Sequence, residues 1–163
     1  MSVPKVTIID YGMGNIFSVK SAFKYLGAEV EIVSDPEEIL NSSILVLPGV
    51  GSFRKAMAFI KERNIDEAII DAVSNKGIKI LGICLGMQLL GSHSSENGKT
   101  AGLGLIPNQV ERFTSKEVYE RKIPHVGFNS LHINEKQGLF KDLPYLADFY
   151  FVHSYRMLIE DIQ

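Results

Sequence analysis

Val6 to Ile9 is a short β-branched run that stops at Asp10, and Ile16, Val19, Phe23 and Leu26 then recur at helical spacing until Gly27. This predicts a strand, a loop and a helix in that order. Glu29 to Val33 alternates polar and apolar positions, and Ile44 to Leu47 is wholly apolar. Between them, Asp35-Pro36-Glu37-Glu38 supplies an N-cap residue, a proline and two acids, the composition of a first helical turn. Helical patterns follow from Phe53 to Arg63 and from Asp66 to Val73; Gly77 closes the second, and Ile78 to Ile83 reads as another buried strand. Strands and helices that alternate across short connections predict an α/β fold with a mostly parallel central sheet flanked by helices on both faces, because buried parallel strands read as continuous apolar runs.

Beyond Gly91 the texture changes. Ser92 to Gly98 is polar and Gly102 to Pro107 is turn-rich, whereas Val110 to Phe113, Val126 to Ile133 and Phe149 to Val152 read as strands without long helices between them. No repeat, low-complexity tract or linker separates the two halves, so residues 1–163 are expected to form a single domain.

The 163 residues are 45% hydrophobic, enough for a core that removes roughly 70% of the extended chain's surface from water without help from a metal or disulfides. Cys84 is the only cysteine, which excludes an internal disulfide and a multi-cysteine zinc knot. With 17 basic and 19 acidic residues in no block of one sign, the chain offers a nucleic acid no footprint. Met1 to Asp10 lacks the apolar core of a signal peptide, and the most apolar stretch, Ile78 to Gly91, is interrupted by Lys79 and Gln88. A soluble cytoplasmic protein without a membrane association is expected.

The most informative segment is Gly82-Ile83-Cys84-Leu85-Gly86. It sets the cysteine at a strand-to-helix junction between two glycines, the thiol counterpart of the Gly-x-Ser-x-Gly nucleophile elbow. The glycines leave room for a sharp turn that lifts the sulfur off the sheet edge, and the unpaired N–H groups of the helix beginning near Leu85 favour a thiolate. Pro48-Gly49-Val50-Gly51-Ser52 follows an earlier buried strand. A glycine loop there can present N–H groups to the same end of the sheet, forming an oxyanion hole with the N–H of Leu85.

Six segments resemble, in order, the class I glutamine amidotransferases, and among them the glutaminase subunits of imidazole glycerol phosphate synthase. They are Asp10-Tyr11-Gly12-Met13-Gly14-Asn15, Pro48 to Phe53, Gly82 to Gln88, Gly102 to Ile106, Pro124-His125-Val126-Gly127-Phe128-Asn129 and Phe151-Val152-His153-Ser154-Tyr155. The resemblance covers essentially the whole chain. It implies a flavodoxin-like fold and hydrolysis of glutamine to glutamate through a thioester at Cys84, with ammonia passed to a β/α-barrel cyclase subunit in a heterodimer of histidine biosynthesis. It further implies an oxyanion hole from Val50, Gly51 and Leu85, and a glutamine site lined by Gly49, Gly51, Leu85, Gln88, Ser154 and Tyr155. No cofactor and no metal are implied.

The family takes its base and orienting acid from a His-Pro-Glu segment. None of His93, His125, His132 and His153 is followed two residues later by glutamate, so neither triad partner of Cys84 is present in residues 1–163. The expectation is a C-terminally truncated chain of little activity that lacks its last sheet elements, with Phe149 to Leu158 left as a strand without its natural neighbours. The alternatives are a non-catalytic docking partner of the cyclase, or a paralogue that supplies ammonia to a sugar-modifying synthase, since Phe128 stands where the family more often has tryptophan. A dinucleotide-binding reading of Gly12-Met13-Gly14 fails at its third glycine, whose place is taken by Phe17.

Overall fold

The computed structural model describes residues 3–118, 122–134 and 137–159. The chain divides into two compact units, 1–111 with 157–163, and 112–156. Hydropathy shows no linker because the chain passes between the units inside short strands.

The first unit alternates strands and helices: β1 (Lys5–Ile9), α1 (Ile16–Tyr25), β2 (Glu29–Val33), α2 (Pro36–Leu40), β3 (Ile44–Leu47), α3 (Phe53–Glu62), α4 (Ile65–Ser74), β4 (Lys79–Gly82) and α5 (Leu85–Leu89). The sheet runs β2-β1-β3-β4, and its strand pairs are all parallel. This is the doubly wound order in which the chain reverses direction across the sheet at β1 and β3, the place where such folds bind ligands beyond the carboxyl ends of the strands. Alternate strand residues face opposite ways, as the period of two requires. Ile9, Leu45 and Leu47 pack with α2, α3, α4 and α5, whereas Val6, Ile8 and Val46 face Ile16, Val19 and Phe23 of α1. Thr7 is the one polar residue buried in β1, and it donates to Glu31 Oε1 at 2.8 Å.

Local signals place most boundaries. Asp35 caps α2, accepting from the Glu37 N–H at 2.8 Å. Leu26 departs from the apolar stripe read for α1: it is the C-cap and 76% exposed, since Gly27, at φ +84°, turns the chain away there. Phe17 is also turned outward, 75% exposed, so it does not crowd α1 against the sheet. The polar segment after Gly91 contains two short strands, β5 (His93–Ser94) and β6 (Thr100–Ala101), paired antiparallel; Ser94 also pairs in parallel with Val110 of β7 (Val110–Arg112). Two residues are too few for any periodicity to register.

The second unit is built on an antiparallel hairpin, β8 (His125–His132) with β9 (Leu146–His153), in unbroken register from His125 opposite His153 to His132 opposite Leu146. The expectation of an isolated strand over Phe149 to Leu158 is corrected here. β9 is paired with β8 along its whole length, and the chain breaks at Ser154 before β10 (Tyr155–Met157). One face of the hairpin carries Val126, Phe128, Tyr150 and Val152, all exposed, with the Phe128 and Tyr150 rings edge to face at 5.2 Å. Among the described residues no helix is long and apolar enough to cross a membrane, and no three His, Cys, Asp or Glu side chains converge as metal ligands.

Candidate active site

β4 ends at Gly82, and the Ile83 N–H still donates to the Leu47 carbonyl at 3.0 Å, holding the exit from β4 beside β3. The next residue, Cys84, has φ 56° and ψ −117°, a conformation that residues with a β-carbon rarely adopt, and its side chain is exposed. Such backbone costs on the order of 1–3 kcal/mol and persists only where its surroundings impose it. Here the following turn does so: the Gly86 N–H bonds to the Ile83 carbonyl at 3.0 Å, and Met87 N–H to the Cys84 carbonyl at 3.1 Å. The two flanking glycines are steric necessities. A Cβ on Gly82 would lie 2.4 Å from Met87 Cα, and one on Gly86 only 1.7 Å from the Leu47 oxygen. The expected nucleophile elbow is therefore formed, with Leu85 buried at the first position of α5 and its N–H among those with no intrahelical partner.

The glycine loop after β3 packs directly on this elbow. Pro48 and Gly49 are buried, while Val50 and Gly51 are exposed. A Cβ on Gly49 would fall 2.5 Å from the Tyr11 hydroxyl, 2.9 Å from Gly86 N and 3.0 Å from Leu85 Cβ, so only glycine lets the loop approach the elbow this closely. Gly51, at φ +104°, turns the chain beside Met13. The loops after β1, β3 and β4 thus meet at one end of the sheet, bringing Gly49 against Tyr11, Leu85 and Gly86. Gln88 is half-buried on α5.

Ser154 and Tyr155 belong to the second unit. The Ser154 carbonyl accepts from Phe113 N–H at 3.0 Å, and the Tyr155 carbonyl lies 2.9 Å from His153 Nδ1. His153 Nε2 is 3.1 Å from His125 Nδ1. With both imidazoles neutral, the arrangement that satisfies both contacts has His153 donating from Nδ1 to the carbonyl and accepting at Nε2 from His125. Both ring nitrogens of His153 are then engaged.

Tyr11 is the site residue that motif reading passed over, although it stands between Asp10 and Gly12 in a loop leaving a buried strand. It is fully buried, and its hydroxyl donates to the Pro48 carbonyl at 2.9 Å, tying the β1 loop to the start of the glycine loop. Burial first, and the charge of nearby Cys84 second, push the phenol well above its ordinary 10.0. The folded state therefore holds this proton more tightly than the unfolded chain does. The resulting stability is whole below pH 10.0 and is lost as pH rises beyond it. Tyr11→Phe should cost about 1–2 kcal/mol at neutral pH by stripping the carbonyl of its partner. It should also abolish this alkaline component, as urea midpoints measured between neutral and strongly alkaline pH will show; an unchanged neutral midpoint would disprove the tie.

Cys84 thus stands exposed on a forced elbow, with the buried Gly49 packed against Leu85 and Gly86 beside it. Residues 7–161 match the glutamine amidotransferase class-I family, and the chain belongs to that family. Its relatives place it more narrowly, with the HisH subunits of imidazole glycerol phosphate synthase. It is 46% identical over 151 residues to imidazole glycerol phosphate synthase subunit HisH 1 of Parasynechococcus marenigrum (strain WH8102), an alignment spanning 93% of this chain and 72% of that protein. With the HisH subunit of Moorella thermoacetica (strain ATCC 39073 / JCM 9320) it shares 45% identity over 150 residues, 92% of this chain and 69% of that one. The fold agrees: a crystal structure of a glutamine amidotransferase superposes with a TM-score of 0.69 at 20% identity, covering 90% of this chain and 70% of that chain.

Proposed function

We propose that this chain is the glutaminase subunit of an imidazole glycerol phosphate synthase, hydrolysing glutamine to glutamate and handing ammonia to a cyclase subunit. The observation that carries the site assignment is Cys84, exposed at φ 56° with the buried Gly49 loop packed against Leu85 and Gly86. The Cys84 sulfur attacks the side-chain amide carbon of glutamine. The N–H groups of Leu85 and of Val50 or Gly51 stabilise the oxygen as it becomes an oxyanion, each donor being worth about 3 kcal/mol. Collapse of the tetrahedral species breaks the C–N bond as the proton given up by the thiol passes to nitrogen, releasing ammonia and leaving a glutamyl thioester that water cleaves to glutamate and the free thiol. Gly49, Gly51, Leu85 and Gln88 hold the substrate. The family pattern draws the base from a His-Pro-Glu segment, which residues 1–163 do not contain.

The partner is a cyclase of β/α-barrel form. Ammonia set free in water is mostly protonated and no longer nucleophilic, so its transfer requires a closed contact between the subunits. The exposed apolar ladder of Val126, Phe128, Tyr150 and Val152 suits such a contact, since aromatic residues in a patch of this kind commonly anchor interfaces. Copurification of the subunits should fail when Phe128 and Tyr150 are both replaced by aspartate; retention would remove the ladder from the interface.

The protein, mixed with its synthase partner, should release ammonia from glutamine and should lose that activity as a diazoketone analogue of glutamine labels Cys84. Release that persists with Cys84 fully labelled would overturn the assignment.

A further inference from the structure

The bond from the Tyr11 hydroxyl to the Pro48 carbonyl joins two loops, and it also fixes a peptide plane. A peptide group is planar, so a donor that holds the Pro48 carbonyl sets the direction of the Gly49 N–H as well. Val50 and Gly51 come next, both exposed, with Gly51 at φ +104°. Rotation within the loop is thereby confined to the two residues from which the oxyanion donor is drawn.

Tyr11 can hold this peptide because it is itself held. The Asp10 N–H donates to the Val33 carbonyl at 2.7 Å, and the Gly12 N–H donates to Asp10 Oδ1 at 2.9 Å, so the backbone on either side of Tyr11 is fixed at the end of the sheet. The ring is wholly buried in the same core as Leu47, Phe53 and Leu85. A Cβ on Gly49 would meet the Tyr11 hydroxyl at 2.5 Å and Leu85 Cβ at 3.0 Å, which places Gly49 in contact with the phenol and the elbow together. Gly14, further along the β1 loop, lies against Pro48 and Gly49 as well. Removing the hydroxyl leaves a carbonyl in this core without its donor. The peptide regains a partner only by turning toward water, and that turn carries Gly49 off Leu85 and re-aims the N–H groups that follow.

We propose that Tyr11 is a positioning residue for glutamine hydrolysis: its hydroxyl fixes the plane of the Pro48–Gly49 peptide and so aims the N–H groups of the loop at the oxyanion formed over Cys84. This rests on the glutaminase reading. The consequence falls on the transition state, whose negative oxygen needs the donors in place, more than on ground-state binding of glutamine.

The test compares wild type, Tyr11→Phe and Thr7→Val, each with the partner subunit, by steady-state glutamine hydrolysis and by the rate at which iodoacetamide alkylates Cys84. Iodoacetamide loses iodide to the sulfur without forming an oxyanion, so it reads the thiol alone. Thr7→Val removes a different buried hydroxyl bond, the one from β1 to Glu31, and is the control for lost stability. Tyr11→Phe should lose kcat by about tenfold or more, with KM changed by less than about threefold and alkylation by less than about twofold. Thr7→Val should keep kcat within about twofold of wild type. A rise in KM with kcat preserved would make Tyr11 a substrate contact and overturn the proposal. Alkylation that slows in step with kcat would overturn it by placing the effect on the thiol, and an equal loss of kcat in Thr7→Val would do so by making the effect one of stability. A Tyr11→Phe protein that fails to fold would overturn it too, since the bond would then be a requirement of the core. Wild-type protein that neither releases ammonia nor is labelled at Cys84 would defeat the glutaminase reading, and this inference with it. Active wild type beside an equally active Tyr11→Phe would defeat the inference alone.

Discussion

Replacing Cys84 by glycine is expected to abolish glutamine hydrolysis and, at the same time, to raise the melting temperature. The activity falls because no other group in the Gly82–Gly86 elbow can form the thioester, and loss of a nucleophile typically costs roughly ten-thousand-fold or more. Stability rises because φ 56° and ψ −117° match the first central position of a type II′ turn, where glycine is at ease and a residue with a β-carbon is not. Relief of that strain, on the order of 1–3 kcal/mol, exceeds the extra entropy that glycine loses on folding, about 0.5–1 kcal/mol. A net gain of about 1 kcal/mol corresponds to roughly 2–4 °C for a chain of this size. Cys84→Ser is the control, since it removes the sulfur and keeps the β-carbon. It should be inactive without becoming more stable. A glycine variant that melts no higher than the serine variant would show that the elbow is not strained.

Gly86→Ala is expected to have the largest effect on folding. The added methyl would meet the Leu47 oxygen at 1.7 Å, the Leu47 carbonyl carbon at 2.6 Å and the Pro48 carbonyl carbon at 3.1 Å. All three atoms are backbone at the end of β3, so no rotamer change relieves the clash; either α5 moves off the sheet or β3 bends. A loss of about 3 kcal/mol or more is expected, at the upper end of overpacking effects, and the elbow and the oxyanion loop would be displaced together. Gly27→Ala isolates the other reason for a glycine. Gly27 has φ +84° and open space around it, so alanine there should cost only about 1 kcal/mol. Urea unfolding of both variants separates the two cases. Similar midpoints would mean that the contact between α5 and β3 yields easily.

The core of the fold could be read from local pattern. β2 and β3 fall where the alternating and the apolar runs lie, and α2 begins at the Asp35-Pro36 signal, because each depends on neighbours within one or two turns of chain. The elbow was equally legible, since its two glycines answer to contacts that any sharp strand-to-helix turn makes with the residues around it. The capping of α3 was not. Ser52 stands where a cap residue belongs, yet the acceptor of the Phe53 N–H is Glu96, 43 residues beyond Phe53. Tyr11 was visible only as part of a motif, because its value lies in a bond to Pro48 across 37 positions. The hairpin shows the same division: β8 and β9 each read as strands, but nothing in either says that they pair with each other.

The sequence by itself thus determined which segments become strands and helices, that the sheet is parallel, that Cys84 sits on an elbow and that a glycine loop follows an earlier strand. Tertiary structure alone decided that the loop rests on the elbow, that Tyr11 and Glu96 hold its two ends, and that His153 is committed to His125 and the Tyr155 carbonyl. The physical reason is range. Periodicity, caps and turn residues express forces between near neighbours in the chain, whereas hydrogen bonds that close over tens of residues exist only once the packed sheet has brought their donors and acceptors together.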